Sequence, residues 1–157
     1  MKIVLLTVGK TTASHVASGI NIYLERLGHY VPTEMVSLPD LKGTASMSED
    51  QQKVREGAAI IGALQPGDRV VLLDEKGDLL TSRKFARSIE QVMLAGVKRL
   101  VYVVGGPYGF SQEVYARADA KLSLSPMTFP HDLVRLLFVE QLYRAMTILR
   151  GEKYHHD

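Results

Sequence analysis

The residues best suited to chemistry gather in the last quarter of the chain, LSLSPMTFPHDLVRLLFVEQLYRAMTILRGEKYHHD, Leu122 to Asp157. His131 and Arg135 lie one helical turn apart, as do Glu140 and Arg144. The second pair has the spacing of an ordinary i,i+4 ion pair, which contributes a few tenths of a kcal/mol. An arginine amid so much apolar surface needs an anionic partner, and an anionic substrate would serve equally. The ending Tyr154-His155-His156-Asp157 invites a metal reading. Ligands on a free end lack the second shell that orients a metal site, so no metal is expected and a frayed tail is the plain alternative. A third candidate is the loop Gly105-Gly106-Pro107-Tyr108-Gly109, where glycine lets backbone approach a ligand. It departs from the dinucleotide fingerprint, because Pro107 and Phe110 occupy the third and sixth positions, and it lacks the Walker lysine. On residues alone a tight structural turn is the better reading, and Leu73 reads as a core leucine.

The elements that must position these residues alternate along the chain. Lys2 to Val8 is a continuous β-branched and leucine run, the mark of a strand buried on both faces. Gly9-Lys10-Thr11 turns it into a helix capped by Thr12 or Ser14, with Val16, Ile20, Tyr23, Leu24 and Leu27 at helical spacing. Val31 to Leu38 reads as a second strand, placed at an edge or begun by Pro32. Ser48-Glu49-Asp50-Gln51 is a capping box for a helix with Val54, Ala58, Ile61 and Leu64 inward. Arg69 to Leu73 is a third strand, and Asp74 to Asp78 a loop. Thr81 or Ser82 caps a helix with Phe85, Ile89, Val92 and Met93 inward. Arg99 to Val104 is a fourth strand, Ser111 caps a short helix, and Lys121 to Ser125 is a fifth strand. Pro126 and Pro130 then fix a rigid apolar loop. A long helix runs from His131 to about Arg150, with Gly151 as its stop. This alternation predicts an α/β fold, a mostly parallel sheet with helices on both faces.

The last helix is apolar on more than one side. Leu133, Leu136, Leu137, Val139, Tyr143, Met146 and Leu149 cover one broad face, and Val134, Phe138, Leu142, Ala145 and Ile148 much of the rest. A helix apolar nearly all round is buried on several sides. In one small domain of 157 residues the second buried side is most simply another subunit, so a homodimer is expected. Gly151 would then deliver the tail beside the partner.

Composition narrows the function. An apolar fraction of 46% and a charged fraction of 23% are those of a globular domain. With no cysteine, disulfides and thiolate–zinc sites are excluded, and a cytoplasmic setting is expected. Neither a secretory leader nor a membrane-spanning run is expected. A net charge of +2 falls short of a general nucleic-acid binder, so any RNA contact must depend on a shaped site.

The stretch SLSPMTFPHDLVRLLFVEQLYRA with the ending GEKYHHD resembles the ribosomal RNA large subunit methyltransferase H family, within the SPOUT class of S-adenosylmethionine-dependent RNA methyltransferases. The resemblance is strongest from Leu122 onward, moderate across Leu73–Gly77 and Val104–Gly109, and weak before Arg69. It implies a carboxyl-terminal trefoil knot, which sequence patterns cannot show. It also implies that Leu73, Gly105, Leu124, Ser125, Pro126, Met127, Thr128 and Phe129 hold S-adenosylmethionine. The implied reaction methylates N3 of a pseudouridine in 23S ribosomal RNA on the assembled ribosome. By the same resemblance Arg144, Tyr154 and His155 serve the substrate: Arg144 as cation, His155 as proton acceptor and Tyr154 as stacking platform. His156 and Asp157 are expected to be passengers, and His15 and His29 surface residues. The rival reading is a non-catalytic α/β nucleotide- or RNA-binding module. A Rossmann-type methyltransferase is disfavoured, because Gly9-Lys10-Thr11 stands where a Gly-x-Gly loop would follow the first strand.

Overall fold

A computed structural model describes residues 1–157. In chain order the elements are β1 (Lys2–Val8), α1 (Ser14–Leu27), β2 (Thr33–Leu38), α2 (Glu49–Ala63), β3 (Arg69–Leu79), α3 (Ser82–Leu94), β4 (Arg99–Val104), α4 (Gln112–Arg117), β5 (Ala120–Ser123) and α5 (His131–Leu149). A short 3-10 turn at Thr44–Ser46 precedes α2. The five strands form one sheet in the order β2-β1-β4-β3-β5, and every pairing is parallel. Alternate residues of β1 serve opposite faces, as a strand's period of two requires. Ile3 and Leu5 join a core with α1, α3 and α5. Val4 and Leu6 join a second core with Ile60 of α2 and Val114 of α4. The α/β architecture with both faces covered is thus the one expected.

Several local expectations need correcting. β3 runs on to Leu79, where a loop was expected from Asp74. Leu122 of β5 pairs first with Leu73 and again with Asp78, so the polar stretch between bulges away and returns to the ladder. Its polar composition suggested a loop because the bulge faces outward, but the backbone re-pairs. α2 carries its capping box, but Val54 and Ala58 are exposed and the buried face is Glu56, Gly57 and Ile60. The helix is turned so that its glycine meets Ser111, which caps α4. α1 takes no side-chain cap from Thr12 or Ser14. Its start is capped instead by Asp132 of α5, whose Oδ2 accepts from the N–H groups of Thr12 at 3.0 Å and Ala13 at 2.9 Å. Only a long-range contact could supply that, and local spacing does not reveal one.

α5 lies against α1 and α3. Phe138, Val139 and Leu142 are fully buried within the chain's own core. Leu133 stays exposed and Leu137 half-buried, so a narrower stripe than expected is left for a second subunit.

Candidate active site

The bulge within β3 and the segments leaving the carboxyl ends of β4 and β5 surround a cavity of about 490 Å³. This is the end of an open α/β sheet where ligands bind. Leu73 closes it from β3, Gly105 from β4, and Leu124, Ser125, Met127, Thr128 and Phe129 from the loop after β5. Those are the residues expected there, except Pro126, which does not line the cavity. The loop after β5 is shaped by its own serines. Ser123 Oγ donates to the Ser125 carbonyl at 3.0 Å, and Ser125 Oγ accepts from the Met127 N–H at 3.0 Å.

The glycine loop is pressed between two neighbours. A Cβ on Gly105 would lie 2.9 Å from the ring of Phe110, and one on Gly106 would lie 1.8 Å from Glu56 Oε2. A side chain at either position would force Phe110 or the Glu56 carboxylate to move. On the opposite rim the Tyr115 hydroxyl donates to Asp74 Oδ2 at 2.5 Å, joining the β3 wall to α4. Burial and that carboxylate push the phenol up to about 12, so it stays a donor at neutral pH. His131 and Val134, from the first turn of α5, complete the lining. Sequence reading named His131 as half of a one-turn pair and Val134 as part of an apolar face, but placed neither at the cavity. The signal was their place directly after the proline loop.

Arg144, Tyr154 and His155 do come together, but away from this cavity, whose lining includes none of them. Arg144 Nη2 donates to Glu140 Oε1 at 2.5 Å, and its Nη1 lies 3.3 Å from His155 Nδ1. Its guanidinium sits 4.8 Å from the centre of the Tyr154 ring. The Tyr154 hydroxyl donates to the same Glu140 oxygen at 3.0 Å. Glu140 is thus the hub of the cluster, visible in the sequence only as half of an ion pair. Its hydrogen bond raises the Arg144 pKa above an already high value. Burial first, then hydrogen bonding with Tyr23 and Glu140, holds the Tyr154 pKa well above the ordinary phenol range. Tyr154 is therefore a hydrogen-bond donor and aromatic surface, not a base.

The tail is not frayed. Arginine only donates, so His155 Nδ1 offers Arg144 its lone pair and Nε2 carries the proton to Asp157 Oδ1, 3.0 Å away. Asp157 also holds Arg83 of α3 in a two-oxygen ion pair. The expectation of a passenger fails for Asp157, because its charge is used twice. His156, His15 and His29 are exposed, as expected of the last two. No group of three or more His, Cys, Asp or Glu side chains is placed to hold a metal ion.

A parallel sheet with a cavity over its carboxyl edge, walled by a glycine loop and the segment before the last helix, matches a known class of enzymes. The family model described as "Predicted SPOUT methyltransferase" covers residues 1–155, and the chain belongs to that family, whose methyl donor is S-adenosylmethionine. Relatives named ribosomal RNA large subunit methyltransferase H agree with it from end to end. One from Parabacteroides distasonis is 55% identical over 157 residues, covering 100% of both chains. One from Christiangramia forsetii is 53% identical over 156 residues, covering 99% of each. One from Bacteroides fragilis is 52% identical over 157 residues, again 100% of both. The resemblance carried by the last quarter of the sequence is thereby borne out. Among solved structures, a probable methylase family protein from Haemophilus influenzae superposes with a TM-score of 0.52 at 13% identity. That match covers 99% of this chain and 70% of the other, and it bears on fold alone.

The cavity fits the donor chemically. Half of its 20 lining residues are hydrophobic and suit an adenine ring, and the glycine loop lets backbone come close to a polar tail. No helix is long and apolar enough to cross a membrane.

Proposed function

We propose that this chain transfers a methyl group from S-adenosylmethionine to N3 of a pseudouridine in 23S ribosomal RNA of the assembled ribosome, acting in the cytoplasm as a homodimer. The observation that carries this reading is the pairing of two half-sites: a donor-shaped cavity over the sheet edge, and a separate Glu140–Arg144–Tyr154–His155 cluster on α5 and the tail. One subunit supplies the donor cavity, and its partner supplies the cluster. The surface that would join them is apolar and uncovered. Leu80 is 38% exposed, Leu133 37% and Met127 74%. The trefoil knot of the class belongs to this reading through the family alone.

The bound donor supplies an electrophilic methyl carbon on sulfonium. N3 of the base would receive that methyl group, sulfur keeping the bond's electron pair, and the N3 proton must pass to a group of this chain. Arg144 stands ready to stabilise the developing imide anion. His155 Nδ1 accepts from Arg144 with its lone pair, and that lone pair becomes available to the N3 proton once Arg144 turns to the substrate. Tyr154 offers a ring for base stacking. Leu73, Leu124 and Met127 flank the donor, and Ser125 and the glycines hold the loops that orient it.

The test is transfer of a labelled methyl group to ribosomes that lack this modification. Incorporation at one nucleotide of the large-subunit RNA is expected. No incorporation, with donor binding intact, would favour a binding module over an enzyme.

A further inference from the structure

Arg135 has no part in either half-site, yet it is 2% exposed. Its Nη1 donates to Thr11 Oγ1 at 3.1 Å and its Nη2 to the Val8 carbonyl at 2.9 Å, while its Nε has no acceptor. Both partners are neutral oxygens. Asp132 and Asp40 act on it only through space, and burial draws its pKa down. A buried cation served this poorly is costly, and replacing such a group by an apolar side chain of similar size is often neutral or stabilising. Arg135 is therefore not explained by stability.

Its neighbour Asp132 makes the same connection. Its Oδ2 accepts from Thr12 N at 3.0 Å, Thr12 Oγ1 at 3.1 Å and Ala13 N at 2.9 Å. Five hydrogen bonds thus tie the first turn of α5 to the stretch from Val8 to Ala13. Residues three apart share a helix face, so this turn has two sides. Positions 132 and 135 face the β1–α1 turn, while His131 and Val134 face the donor cavity. The same turn ends the Leu124–Phe129 loop, whose other side-chain ties are the internal ones of Ser123 and Ser125.

We propose that Arg135 and Asp132 are positioning residues for the methyl donor: they anchor the Leu124–His131 wall of the cavity to the turn after β1. The role rests on the assignment of that cavity to S-adenosylmethionine. Without the anchor the wall is free to shift, and the donor must pay to order it.

The experiment is calorimetric titration of S-adenosylmethionine into wild-type protein, Arg135→Met and Thr11→Val, with melting temperature and donor KM and kcat measured alongside. Arg135→Met should melt at or above the wild-type temperature, bind donor at least tenfold more weakly, and raise donor KM far more than it lowers kcat. Thr11→Val removes one acceptor at a half-buried position and should weaken binding severalfold. Arg135→Lys, with one ammonium for two acceptors, should fall between wild type and Arg135→Met. If Arg135→Met fails to fold, Thr11→Val and Arg135→Lys decide. Donor affinity within twofold of wild type in the folded variants would overturn the anchoring role and leave the cavity assignment intact. No donor binding by wild-type protein would overturn the cavity assignment, and the anchoring role with it.

Discussion

The proposed chemistry turns on a few side chains of α5 and the tail that hold one another in place. Glu140 holds both Arg144 and Tyr154, so its loss should release both. Glu140→Gln is expected to lower methyl transfer at least tenfold while leaving donor affinity within twofold, measured by single-turnover assay and calorimetry. Tyr154→Phe keeps the ring against Tyr143, 4.7 Å between centroids, and loses the hydroxyl's hydrogen bonding with Glu140 and Tyr23. A deleted hydrogen bond of this kind is worth about 1 kcal/mol, so transfer should fall by roughly fivefold. Asp157 brings a pH dependence. Arg83 holds its carboxyl down at about 2. A carboxylate depressed in the folded state gives a contribution that is full above its unfolded pKa, about 3.9, and lost as pH falls through the folded value. Tail ordering should therefore weaken between about pH 4 and pH 2, followed by the Asp157 carboxyl resonance. Asp157→Asn should leave the tail looser at neutral pH. The residue types Arg144, Tyr154 and His155 were legible as a set from the last quarter of the sequence. Their hub Glu140 was legible only as half of an ion pair, because its bond to Tyr154 joins α5 to the tail, and the Arg83–Asp157 pair was not legible, because it joins the tail to α3.

At the scale of elements, period and capping were legible and orientation was not. The strands, the capping box at Ser48 and the caps at Thr81 and Ser111 follow from local rules. α2 was rotated from its expected face because Gly57 allows close approach to Ser111, a tertiary contact with no local signature. The continuation of β3 was hidden in a polar stretch. α5 was rightly read as buried on more than one side, but the residues named for a second subunit included Phe138 and Leu142, which are 0% exposed within one chain. This changes the expected outcome of mutation. Phe138→Glu buries an unpaired charge and should prevent folding, not merely dissociate subunits. Leu133→Glu lies on the exposed stripe. It should give a folded monomer in sedimentation at micromolar concentration, with the wild-type circular dichroism spectrum. A wild-type protein that sediments as a monomer would remove the basis for a shared site.

On the scale of the whole molecule, the question is how the two half-sites meet. In the proposed reading the cavity holds the donor and the Glu140–Arg144–Tyr154–His155 cluster serves the substrate, and the cavity's lining includes none of the cluster's residues. Gly105→Val should abolish donor binding, because its side chain collides with the Phe110 ring and enters the cavity. Deleting Tyr154 to Asp157 should abolish methyl transfer while donor binding and dimerisation persist. Each protein alone is then inactive, for different reasons. The decisive measurement is methyl transfer by a mixture of the two after verified subunit exchange. A site shared between subunits predicts that heterodimers regain one working site, with activity up to about half that of wild type per heterodimer. A mixture that stays inactive although heterodimers have formed would contradict the shared site.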